Sequence, residues 1–135
     1  MCLSKLEDFT PVKTGYQVKY KDTANLDSVR YDAVFYRKLP GQQLGGTYDA
    51  RRTFLNTKTH RGKLGYMSGF HVLHRVKDAR RYRDVLESHQ EFVVVKVKTG
   101  GERITGLQTF TAGKLGGASF KVTVCSEITL LHEVE

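Results

Sequence analysis

The chain has no tryptophan, only two cysteines and two prolines, and no long apolar run. Cys2 and Cys125 are too few for a framework of disulfides, so a reducing compartment is expected. No apolar stretch approaches the roughly 18 residues that cross a bilayer, and the first residues lack the apolar core of a secretory signal. We therefore expect a cytoplasmic protein that does not engage a membrane.

Several motifs of enzyme and metal sites are also missing. The Walker and Rossmann glycine patterns and the Gly-x-Ser-x-Gly nucleophile motif do not occur. His71 and His74 stand three apart on a predicted strand and so on opposite faces, without a second metal-binding pair. We expect no metal, no cofactor and no catalytic residue. The enzymatic alternative is a transferase acting on nicotinamide dinucleotides, with His71 and Tyr82 in its cleft.

Acidic residues are almost absent from residues 51–83, where Asp78 is the one acid. The basic residues of this window are ten: Arg51, Arg52, Lys58, Arg61, Lys63, Arg75, Lys77, Arg80, Arg81 and Arg83. The window thus carries +9, and the remaining 12 basic and 13 acidic residues sum to −1. The whole net charge of +8 is local in origin. Such a concentrated field favours an anionic partner.

Most of the chain is predicted to be β-strand, with one helix. Apolar residues at spacings of three and four predict a helix from Val76 to about Ser88 with one buried stripe. Alternating or β-branched segments predict strands at residues 15–20, 29–36, 47–55, 69–74, 92–98, 103–110, 120–124 and 128–134. We expect a single α+β domain over residues 1–135, a mostly antiparallel twisted sheet or open barrel of six to eight strands with one packed helix. The segment 69–98 also fits a local strand-helix-strand crossover.

Short motifs at four places suggest a family. They are Met1-Cys2-Leu3, Gly15-Tyr16, Gly69-Phe70-His71-Val72 and Asp78-Ala79. With them and its β-rich closing third, the chain resembles small bacteriophage and prophage proteins that begin Met-Cys-Leu and carry a Gly-Phe/Tyr-His strand before a helix. The resemblance implies a small α+β domain in the host-cell cytoplasm, and it assigns no catalytic residue.

The basic window contains the candidate ligand site. Arginine outnumbers lysine there by seven to three, which favours bidentate recognition of phosphate or carboxylate. Part of the window falls on the predicted helix and part on residues 56–68, which we predict to be a long loop. Tyr66 in that loop is a candidate for stacking on a base. The predicted ligand contacts are Arg51, Arg52, Arg61, Lys63, Tyr66, His71, Arg80, Arg81 and Arg83.

The leading hypothesis is a non-enzymatic phage protein that binds a nucleotide, or a signal derived from one, in a basic pocket. It would act as a sequestering or inhibitory protein against host defence. Two alternatives stay open, a module that binds the DNA or RNA backbone and an inhibitor that docks on an acidic host protein. A solvated surface without a ligand would produce the same charge pattern, and the position of His71 favours a half-buried structural residue over a ligand contact. The sequence leaves the oligomeric state open.

Overall fold

The computed structural model describes residues 3, 5–24, 29–33, 41–50, 54–59, 62–86, 91–109 and 117–134, with side chains except at residues 5, 33, 54–59 and 62–66. These ranges contain nine strands and one helix. In chain order they are β1 (Lys5–Leu6), β2 (Thr14–Asp22), β3 (Arg30–Ala33), β4 (Thr47–Asp49), β5 (Phe54–Thr59), β6 (Gly62–Met67), β7 (Phe70–Leu73), α1 (Val76–Val85), β8 (Phe92–Thr109) and β9 (Ser119–Val134). No helix within the described ranges is both long and apolar enough to span a membrane.

The predicted α+β fold is confirmed. Seven strands form an antiparallel sheet in the order β1-β8-β2-β7-β9-β4, with β3 paired to β2. Because β8 also pairs with β9, the strands β8, β2, β7 and β9 close a ring. The junction of β2 and β7 is a single residue pair, Tyr16 with Leu73, and Gln17 Nε2 crosses it to donate to His71 O at 3.0 Å. The ring is therefore a sheet bent onto itself, not a regular barrel.

β8 is one continuous strand where the sequence predicted two, at residues 92–98 and 103–110. β8 instead carries a β-bulge between Gly100 and Arg103. Gly101 has a φ of 68° there, and the Glu102 N–H donates to Ser126 Oγ at 3.0 Å. A bulge bends a strand without ending it, so the two glycines bend the sheet in place of reversing the chain. β9 is likewise one strand where two were predicted.

The predicted helix and crossover are both confirmed. β7 and β8 are each antiparallel to β2, so they run parallel to one another, and α1 connects them. The helix ends at Val85, earlier than the predicted Ser88, which lies outside the described residues. Leu86 has an extended backbone conformation and is not helical. Its N–H donates to Arg83 O at 3.2 Å, a bond between residues three apart that tightens the last turn of the helix.

Apolar side chains pack on both faces of the sheet. The helix buries Ala79 and Tyr82, which are 0% and 6% exposed, against Val18, Val94 and Phe120. The opposite face is covered by a second cluster, whose buried members are Tyr31, Val72, Val95, Val97, Cys125, Ile128 and Leu130. A third cluster around Leu3 packs on Val122 and Val124. The helix is therefore fixed by its apolar stripe, which leaves its basic residues outside the core.

Threonine hydroxyls hold the segment between β1 and β2 against the sheet. The Phe9 N–H donates to Thr105 Oγ1 at 2.9 Å, and the Val12 N–H donates to Thr123 Oγ1 at 3.4 Å. Thr99 Oγ1 donates in turn to Val12 O at 2.5 Å. Since this segment has no strand partner, these side-chain bonds satisfy backbone groups that a ladder would otherwise satisfy.

A β-hairpin occupies most of the region predicted as a loop over residues 56–68. β5 and β6 form a separate two-stranded sheet with six residue pairs. Only residues 60 and 61 separate the two strands, which is the length that antiparallel strands prefer. Gly62 and Gly65 interrupt the alternation of apolar and polar residues, so the segment reads as a loop in the sequence.

Candidate functional site

An open cleft of about 450 Å³ lies between the start of α1 and the β8–β9 hairpin. Its wall is formed by Arg75, Lys77, Asp78, Arg81, Leu107, Ala118, Ser119, Phe120 and Lys121. The volume falls in the range of pockets that bind small ligands. Four of these residues are basic and one is acidic, so the wall carries 4 − 1 = +3.

The amino-terminal end of α1 supplies one side of the cleft. Arg75 is the N-cap residue and makes no side-chain capping bond. The first intrahelical bond runs from the Ala79 N–H to Arg75 O at 3.2 Å, so the preceding N–H groups have no acceptor inside the helix. These groups and the helix dipole place partial positive charge at this end, which favours an anion.

The β8–β9 hairpin supplies the other side. Lys121 pairs with Leu107 across the two strands, and Ser119 pairs with Thr109, their hydroxyl oxygens lying 2.8 Å apart. The Lys121 ammonium lies 4.8 Å from the centre of the Phe9 ring, within range of a cation–π interaction. The contact with the Phe9 ring and the pairing of β8 with β9 together hold Lys121 beside the amino-terminal end of α1.

His74 links the two sides of the cleft. Its backbone N–H donates to Lys121 O at 3.1 Å, and its Nε2 lies 2.7 Å from Thr123 Oγ1. The Phe9 ring meets the imidazole edge-on at 6.4 Å between centres. Burial, followed by the charges of Lys121 and Arg75, lowers the pKa of His74. A positive field therefore acts even on the residue behind the wall.

The cations of the cleft have no acidic partner in the part of the chain that the structure describes. Across the ranges the structure describes, no carboxylate pairs with Arg75, Lys77, Arg81 or Lys121. Arg83, two residues beyond Arg81 on the same helix, differs from them because its guanidinium is paired with Asp84 at 3.1 Å. Uncompensated cations around an open cleft leave the attraction for an external anion intact.

The structure brings one predicted contact, Arg81, into the cleft wall. Arg80 is exposed on the same helix but does not line the cleft, and Arg83 is engaged with Asp84. Lys63 and Tyr66 lie on β6, where the backbone alone is described. The remaining predicted arginines lie outside the described residues: Arg51, Arg52 and Arg61.

His71, another predicted contact, lies on β7 away from the cleft wall. Its Nε2 is buried and has no hydrogen-bond partner among the described residues. Burial lowers the pKa of His71 to about 4, so the ring is neutral near neutral pH. A buried neutral imidazole is typical of a structural histidine, which was the competing interpretation of this residue.

Three wall cations were not among the predicted contacts. Arg75 and Lys77 lie in the basic window and could have been added from the helix start that the sequence predicts. Lys121 lies far along the chain, between buried Phe120 and Val122, and its sequence has the ordinary alternation of a strand. Only the register of β7 on β9 brings it to the helix, so no local signal identifies it.

Comparison with protein families, with curated proteins and with solved structures finds no match to this chain. Its function is therefore inferred from the chemistry of the cleft. The side chains that the structure describes include no cluster of three or more histidine, cysteine, aspartate or glutamate residues placed to hold a metal ion.

Proposed function

We propose that this protein binds a phosphate-bearing ligand of nucleotide size in the cleft between α1 and the β8–β9 hairpin. The observation that carries the proposal is a cleft of about 450 Å³ whose wall contains four cations, three from α1 and its N-cap and one from β9, with no carboxylate partner among the described residues. The guanidinium groups of Arg75 and Arg81 suit the bidentate recognition of phosphate.

The apolar part of the wall favours a ligand with more than a phosphate group. Leu107 and Ala118 are half-buried and lie beside the cations, and Phe120 closes the base of this part of the wall from within the core. A nucleotide combines an anionic group with a flat, largely apolar base, and so matches both parts. We infer a sequestering or inhibitory role for the bound state, in keeping with the phage-like motifs of the sequence, and not an enzymatic one.

Adjacent arginines of α1 provide a matched test. Arg81→Gln removes a wall cation, whereas Arg80→Gln removes the same charge from an exposed residue that does not line the cleft. A lost hydrogen bond between charged groups is worth about 1.5–3 kcal/mol, so Arg81→Gln should weaken binding about 10- to 100-fold. Arg80→Gln should change it by no more than about twofold, because Arg80 does not line the cleft and acts on the ligand only through solvent.

The measurement is isothermal titration calorimetry with nucleoside mono- and diphosphates and with inorganic phosphate. Equal losses in both variants would mean that a diffuse surface field, and not the cleft, attracts the anion. Purified protein can first be tested for a copurifying nucleotide by its absorbance near 260 nm, since the chain has no tryptophan and only seven tyrosines. Absence of nucleotide binding in wild-type protein would overturn the proposal.

A further inference from the structure

A second basic feature lies outside the cleft, on the β5–β6 ribbon. Among the described residues, β5 and β6 pair only with each other, and β5 lies beside β1. Strands of six residues extend for about 20 Å. The ribbon is thus a separate two-stranded sheet that lies close to β1 but, among the described residues, does not pair with it through a β-ladder.

The register of the ribbon places two lysines opposite one another. Lys58 pairs with Lys63, next to the connection between the strands, and no other pair of the ribbon contains a charged residue. Like charges directly opposite in an antiparallel pair destabilise it. The sequence from residue 54 to 67 contains no acid that could offset them. The ribbon's own sequence therefore offers these two lysine positions no counter-charge, and an external anion can supply one.

The ribbon is connected to the cleft side of the molecule through β1. Lys5 of β1 pairs with Leu107, which belongs to the cleft wall, and β1 lies beside β5. β1 thus adjoins both the ribbon and β8, which carries Leu107. An anion that extends over about 20 Å suits a ribbon of this length better than a small ligand does.

We propose that the β5–β6 ribbon is a docking surface for duplex DNA, with Lys58 and Lys63 at positions that meet backbone phosphates. The major groove of DNA admits a two-stranded β-ribbon, and phosphate contacts by lysine supply affinity that is independent of base sequence. The surface is distinct from the cleft and does not depend on what the cleft binds.

Salt dependence of binding tests the proposal quantitatively. Fluorescence anisotropy of a short labelled duplex of arbitrary sequence is measured between about 50 and 200 mM salt. Each phosphate contact contributes about 0.9 to the slope of log K against log salt, so Lys58→Gln/Lys63→Gln should reduce the slope by about 2. The matched control is Lys13→Gln/Lys98→Gln, which removes the same charge from exposed residues elsewhere and should leave the slope within about 0.5 of wild type.

Two controls and two contradicting outcomes complete the test of the ribbon as a DNA-binding surface. Thermal melting of both double variants should match wild type, because the ribbon substitution leaves the backbone pairing of β5 with β6 in place. The ribbon variant should also bind nucleotide like wild type, which separates this surface from the cleft. An unchanged slope in the ribbon variant would overturn the proposal. So would tighter binding of single-stranded than of duplex DNA, since the groove would then not be the partner.

Discussion

Acid should destabilise this protein through His71. Burial lowers the pKa of this residue from 6.5 to about 4 in the folded protein, and its Nε2 has no hydrogen-bond partner among the described residues. The unfolded chain takes up a proton below about pH 6.5, whereas the folded chain resists doing so until about pH 4. The stabilisation is therefore complete above the unfolded pKa and is lost as the pH falls towards the folded one.

The size of the effect follows from the two pKa values. A difference of 6.5 − 4 = 2.5 corresponds to about 3 kcal/mol at full protonation. About 2 kcal/mol of it should be lost between about pH 7.5 and pH 5. That is a large share of the roughly 5–15 kcal/mol by which a domain of this kind is stable.

Urea unfolding of wild type and His71→Gln at these two pH values measures the effect. Glutamine keeps a polar side chain and does not titrate, so the variant should lose about 2 kcal/mol less than wild type on acidification. His132→Gln, at an exposed position, should behave like wild type. If His71→Gln loses as much stability as wild type, the folded protein accepts the His71 proton without penalty and the reasoning from burial is wrong.

Two further substitutions test the packing. Tyr82→Ala should lower the free energy of unfolding by about 3 kcal/mol or more, because the ring lies in the core under α1. The Arg80→Ala variant should melt within a few degrees of wild type. Equal losses of stability in the two variants would mean that the Tyr82 ring does not pack as described. Gly101→Ala should cost more than Gly117→Ala in denaturant unfolding. Both glycines have a positive φ, at which alanine is strained by about 1–2 kcal/mol. At Gly101 the new methyl group would also displace Ser126 Oγ from the Glu102 N–H, whereas it would meet open space at Gly117. Equal losses of unfolding free energy would contradict the crowding at the bulge.

Local patterns predicted the elements whose packing is local. The spacing of Ala79 and Tyr82 correctly identified the buried stripe of α1, and hence which arginines stay outside the core. The β-branched run at residues 92–98 correctly predicted the first part of β8. These predictions succeed because burial of one face of a helix or strand requires apolar residues at a regular spacing, and that spacing is visible in the sequence.

Long-range register could not be predicted in the same way. Glycine pairs suggest a turn and a bulge equally, and only the pairing of β8 with β9 determines that residues 99–101 form a bulge. Lys121 becomes part of the cleft because β7 aligns with β9 across some fifty residues of chain, as Leu73 paired with Val122 illustrates. No local period in the sequence indicates such a pairing, so of the four cations in the cleft wall Arg81 was predicted and the other three were missed.

The central position of β9 also determines when the fold can form during synthesis. Among the described strands, β9 pairs with β4, β7 and β8, and β8 pairs with β1 and β2, so most strands of the main sheet gain partners from residues 92–134. A nascent chain that ends before β8 would have the helix and the ribbon but few completed ladders. The ring of strands, and with it the basic cleft, can therefore assemble only after β9 has emerged from the ribosome. Only then does the pairing of distant strands offset the entropic cost of closing the long loops between them.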